Sequence, residues 1–164
     1  MSVRSIVIIH ERIAHWHRRL RPRFLSWDAE LEWAETRSAA DLSRRVLGIA
    51  HPVILVDAAD WPAAALEAVG TARYRSPGAS ILVLDALDRA GFAPAAREVG
   101  ATEVISGAVR VSEIFAILVR WTEVARVRTA GAGWSAPRPQ IPEPWEDPTA
   151  FATRWFEGLR WSGL

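Results

Sequence analysis

The sequence predicts a three-layer α/β sandwich built on one five-stranded parallel sheet. Five apolar runs recur at intervals of roughly 25 residues. Three of them are almost unbroken aliphatic or β-branched residues, as in strands covered on both faces. Helical patterns fill the gaps between them. Strand–helix alternation repeated five times favours parallel pairing through right-handed crossovers, with 2-1-3-4-5 as one common strand order.

The runs are Ser5–His10, Leu31–Thr36, Val53–Asp57, Ser80–Asp85 and Thr102–Ser106. The second alternates polar and apolar residues, which suits an edge strand. In the first helical segment Ile13, Trp16 or His17, Leu20 and Phe24 fall at helical spacing. In the second, Ser38 can cap with Asp41 three residues on, and Leu42, Val46 and Ile49 form the stripe. The third opens on Pro62 and carries Ala65, Leu66 and Val69. The fourth is short, with Pro94 in its first turn and Gly100 past its end. The fifth, Val111 to about Val127, has Ser112 as its expected cap. Residues 1–128 thus read as one domain. Residues 129–148, rich in Gly and Pro, read as an extended linker. Residues 149–164 read as an aromatic tail, with a short helix expected over Thr149–Trp161.

Composition narrows the function classes. The 164 residues carry a net charge of +1, so nothing draws the whole chain to nucleic acid. There is no Cys, which excludes disulfides and thiolate-bound metal. All 20 basic residues are Arg, so no step that needs a lysine amine is available. No apolar run approaches the roughly 18–20 residues of a membrane span. The opening MSVRSIVIIHER lacks the features of a secretory leader, and a cytoplasmic location is expected.

The segment VILVDAADWP, ending its strand in Asp57, resembles the phosphoacceptor segment of response-regulator receiver domains. GATEVISGAV at Gly100–Val109 is similar to the same family's entry into its fifth strand. The resemblance covers residues 3 to about 127 and implies a flavodoxin-like (βα)5 fold, with Asp57 in the acceptor place. Measured against the family, the rest of the pocket is degenerate. His10 and Glu11 stand where an acidic pair binds Mg²⁺. Asp85 stands where a Ser or Thr follows the phosphoryl group, and Gly107 where a Lys is expected. Pro62 lies five residues after Asp57, one more than usual. Phosphoryl transfer depends on positioning and charge neutralisation. A carboxylate at Asp85 adds negative charge beside the anion instead. The resemblance therefore implies a pseudo-receiver: a non-catalytic module for protein–protein contact in bacterial signalling or assembly.

Two alternatives stay open. One is a metal- or phosphate-responsive receiver that keeps Asp57 as acceptor, with Glu11 and Asp57 holding Mg²⁺. The other is a small enzyme using His10 with Asp57 or Asp85, although no nucleophile–base pair stands at a recognisable spacing. Otherwise neither metal nor cofactor is expected, and HERIAHWHRR has no glycine-rich loop to cradle the phosphate of a dinucleotide or flavin. His15 and His17 are two apart and read as surface residues, as does the Arg18, Arg19, Arg21 and Arg23 cluster.

The expected partner is another protein, with no membrane and no nucleic acid. In the fifth helix Ile114, Leu118, Trp121 and Ala125 form one apolar stripe, and Val111, Phe115, Val119 and Thr122 form a second. One stripe docks on the sheet and leaves the other for a partner or the tail. The resemblance adds homodimerisation through this helix. Trp145, Trp155, Phe156 and Trp161 in the tail are further interaction candidates, because such rings are costly to leave in water.

Overall fold

A computed structural model describes residues 5–131. Within them five strands and five helices alternate. They are β1 (Ile6–His10), α1 (Trp16–Trp27), β2 (Glu32–Thr36), α2 (Ala39–Val46), β3 (Val53–Asp57), α3 (Pro62–Arg75), β4 (Ser80–Asp85), α4 (Phe92–Glu98), β5 (Glu103–Ser106) and α5 (Val111–Gly131). The strands form one parallel sheet in the order β2-β1-β3-β4-β5. This is the predicted fold class and strand order.

Side chains alternate across the sheet and so divide the core into two layers. Val7, Ile9, Val53, Leu55, Leu82 and Leu84 face α1 and α5. Ile6, Ile8, Ile54, Val56, Ile81 and Val83 face α2, α3 and α4. Central strands covered on both sides must be apolar at every position, which explains the unbroken runs. In β2, at the edge, only Ala34 and Thr36 are buried.

The helices mostly follow the predicted chemistry. Ser38 caps α2 by accepting from the Asp41 N–H at 3.2 Å. Pro62 takes the first helical position of α3. Gly100, at φ 118°, lies beneath Arg73, and a Cβ there would stand 2.7 Å from the Arg73 Cγ.

Three expectations need correction. The first helix begins at Trp16, so Ile13 lies before it and is 67% exposed. Ser112 does not cap α5 but lies in its first turn, and Glu113 reaches back to the Arg110 N–H at 3.2 Å. α5 runs to Gly131, into the segment expected to be linker. The rest of that linker, the expected tail helix and Trp145, Trp155, Phe156 and Trp161 lie outside the described residues. Among the described residues no helix is long and apolar enough to cross a membrane.

Candidate functional site

The order 2-1-3 reverses direction at β1, so a crevice opens between the carboxyl ends of β1 and β3. Register sets the levels. His10 pairs with Val56, which brings Glu11 level with Asp57. Asp57 pairs with Leu84, so Asp85 lies one residue further along. The pleat then splits the predicted cluster. Asp57 shares its parity with Val53 and Leu55 and points toward α1, whereas Asp85 shares its parity with Ile81 and Val83. The cleft is lined by His10, Glu11, Arg12, Asp57, Asp60 and Trp61, among others, and Asp85 is not one of them.

Glu11 is buried, at 1% exposure. Its carboxylate accepts backbone N–H groups from His15 at 3.0 Å, Trp16 at 2.7 Å and His17 at 2.9 Å. Those are donors that the start of α1 leaves without intrahelical partners, and the anion also suits the helix dipole. His15, in the capping position, offers no side-chain cap of its own.

His10 is also buried, and its Nδ1 lies 3.0 Å from the Thr36 hydroxyl. Burial pushes its pKa down to about 4, opposed weakly by the charge of Asp41. The ring is neutral near pH 7, and its partner is a hydroxyl rather than a carboxylate.

Asp57 is half-buried, and its Oδ1 accepts the Ala59 N–H at 3.0 Å. Burial raises its pKa, and the bond from Ala59 acts the other way. Beside it the Arg12 guanidinium lies 4.0 Å from the centre of the Trp61 ring, a cation–π contact on the open side of the cleft.

Asp85 is fully buried and carries its own counter-ion. Its Oδ1 accepts from Arg89 Nη1 at 2.6 Å, and its Oδ2 accepts the Arg89 backbone N–H at 2.6 Å. The same guanidinium donates to the Ala58 carbonyl at 3.1 Å and to the Ala59 carbonyl. Arg89 thus fastens the β4–α4 loop to the β3–α3 loop. Asp88, at φ 48°, makes the turn that returns Arg89 to Asp85, in a left-handed conformation that Asp tolerates better than most residues. The repulsion expected from Asp85 is offset by this strap.

Gly107 donates its N–H to the Asp85 carbonyl at 2.9 Å and sits at φ 80°. A lysine there would enter a strained backbone.

Asp57, Asp85, His10, Glu11 and Gly107 are candidates by sequence position, whereas Arg89, Arg12 and Trp61 become parts of the site only in the fold. The one available signal was Arg89 four residues after Asp85. Val111, Phe115 and Val119 are each half-buried rather than open, and Phe115 meets Phe24 of α1 edge to face, with ring centroids 4.9 Å apart. Among the described residues no group of three or more His, Cys, Asp or Glu is placed to hold a metal ion.

The chain matches no family model and no curated protein. Solved structures resemble it in fold. An adenylate cyclase from Rhodopirellula baltica shares 19% identity at a TM-score of 0.62, over 79% of this chain and 96% of that one. A CheY-like response-regulator receiver domain from Methanospirillum hungatei shares 12% at 0.62, over 76% and 98%. The beryllofluoride-activated NtrC4 receiver domain dimer shares 13% at 0.58, over 73% and 98%. The fold is that of response-regulator receiver domains.

Proposed function

We propose that this receiver-fold chain is a pseudo-receiver, a signalling module that works by contact with another protein and without phosphoryl transfer. The proposed setting is a bacterial cytoplasm. The observation that carries the reading is the strap from Arg89 to Asp85, Ala58 and Ala59. A phosphoryl-driven switch needs two loop arrangements of similar energy, biased by the added group. Here the two loops are joined by a half-buried, charge-assisted network anchored on the buried Asp85 carboxylate.

Glu11 supports the same reading. It already accepts three N–H bonds, and turning it toward a cation would leave the start of α1 without that acceptor. In place of Lys the fold has Gly107, in a conformation that disfavours a side chain. The proposed contact surface is α5, including a second copy of the chain as partner, together with the aromatic tail at Trp145, Trp155, Phe156 and Trp161. Val124 and Val127, at 41% and 73% exposure, extend the α5 surface.

One observation favours the alternative of a working acceptor with Mg²⁺ at Glu11 and Asp57. Asp57 lines the open cleft, close to Arg12.

Incubation with a small phosphoryl donor and Mg²⁺, followed by intact mass measurement, separates the two. The pseudo-receiver reading predicts no phosphoryl adduct. An adduct formed by the parent chain and lost in Asp57→Ala supports the working acceptor instead.

A further inference from the structure

A second cluster of chemistry lies at the seam between α1 and β2. The Trp33 indole N–H donates to His17 Nδ1 at 2.8 Å. An indole nitrogen can only donate, so this Nδ1 presents a lone pair and the imidazole is neutral, with its proton on Nε2. The same Nδ1 lies 3.7 Å from Glu35 Oε2. The other oxygen of Glu35 is occupied by Arg37, at 3.1 and 2.9 Å, which leaves Oε2 facing the ring. Nδ1 therefore has one partner suited to each of its protonation states.

We infer that His17 is a proton-operated switch of hydrogen-bond partner, accepting from Trp33 when neutral and turning to Glu35 when protonated. A proton on Nδ1 sets two donors against each other at the indole and breaks that bond. It also creates a cation beside a carboxylate, and a small ring movement closes the remaining gap. The groups that face the imidazole are Glu35 with its partner Arg37 from β2, and the Glu11 carboxylate, which accepts the backbone N–H of His17 from the end of β1. Two carboxylates against one guanidinium leave the seam negative, which favours the charged ring, whereas the indole bond favours the neutral one.

The switch has a route to the rest of the fold. The Trp33 ring packs on Phe24 with centroids 5.2 Å apart, and Phe24 packs in turn on Phe115 of α5. Releasing the indole loosens one side of this aromatic row, so acidity is coupled to the α1–α5 layer. The inference does not depend on whether Asp57 accepts a phosphoryl group.

Nitrogen NMR of the imidazoles and of the indole N–H groups tests it on the full chain, between about pH 8 and about pH 5. At the upper end His17 is expected as the Nε2–H tautomer, with the Trp33 indole proton slow to exchange. Acidification should shift and deprotect that indole proton in step with His17. Two variants pull in opposite directions. Trp33→Phe removes the partner of the neutral ring and moves the His17 midpoint to higher pH. Glu35→Gln removes the partner of the charged ring and moves it to lower pH. A His17 that carries its proton on Nδ1 at high pH overturns the inference in the unmodified chain, whatever the variants do. So do midpoints that both variants leave in place.

Discussion

At the scale of single residues, His10 makes the clearest pH prediction. Its pKa falls from an ordinary 6.5 to about 4 on folding, because burial penalises the charged ring. Between those values the unfolded chain binds more protons than the native one. Stability from this group is therefore full above about pH 6.5 and is lost as pH falls toward about 4, by about 3 kcal/mol in all. Urea titrations at pH 7 and pH 4.5 should show a smaller loss in His10→Asn than in the parent. An equal loss in both would remove His10 from the acid limb. Asp85 and Arg89 make a second prediction. Arg89→Met leaves a buried carboxylate without its counter-ion and should cost about 3–5 kcal/mol. Asp85→Asn with Arg89→Met should cost less than Arg89→Met alone, because no bare charge remains. Additive losses would mean that the strap is not one network. Asp57 and Asp85 were legible as strand-end carboxylates from the apolar runs before them. The role of Glu11 was not, since a carboxylate's choice between a cation and free N–H groups depends on where α1 begins. The sequence placed that start several residues too early, at Ile13.

At the scale of elements, α5 shows what periodicity can and cannot decide. Its first stripe does dock on the sheet, with Ile114, Leu118 and Ala125 buried. Thr122, assigned to the other stripe, is also buried and returns its hydroxyl to the Leu118 carbonyl at 2.8 Å. The second stripe is not simply free. A helix alone does not reveal its lateral neighbour, and Phe115 meets Phe24 only because α1 and α5 share one face of the sheet. Leu118→Ala should cost about 2–5 kcal/mol by cavity formation. Val127→Asp, on the exposed side, should stay within about 0.5 kcal/mol of the parent. If copies pair through α5, the same Val127→Asp variant should lower the apparent mass in sedimentation at fixed concentration. No change in a chain that is dimeric would place the contact elsewhere.

At the scale of the whole molecule, the fold was largely readable from the order of its strands and helices. Buried parallel strands have to be apolar at every position, so β1, β3 and β4 stand out, and their last residues mark the functional edge. The split of that edge was harder to see. Parity along each strand places Glu11 with Asp57 and separates Asp85 from them, but the parity of a strand end becomes clear only once the register is known. Side-chain straps across loops, such as Arg89, carry no periodic signal at all.

In the proposed pseudo-receiver the carboxyl edge of the sheet is set without a phosphoryl group. Trp61, four residues after Asp57 and against Arg12, reports on that edge. The decisive measurement is its fluorescence during titration with Mg²⁺ and then beryllofluoride, read as the difference between the parent chain and Asp57→Ala. A pseudo-receiver gives a flat difference. A saturable change that is lost in Asp57→Ala would contradict it and show a pocket that still answers to a phosphoryl mimic.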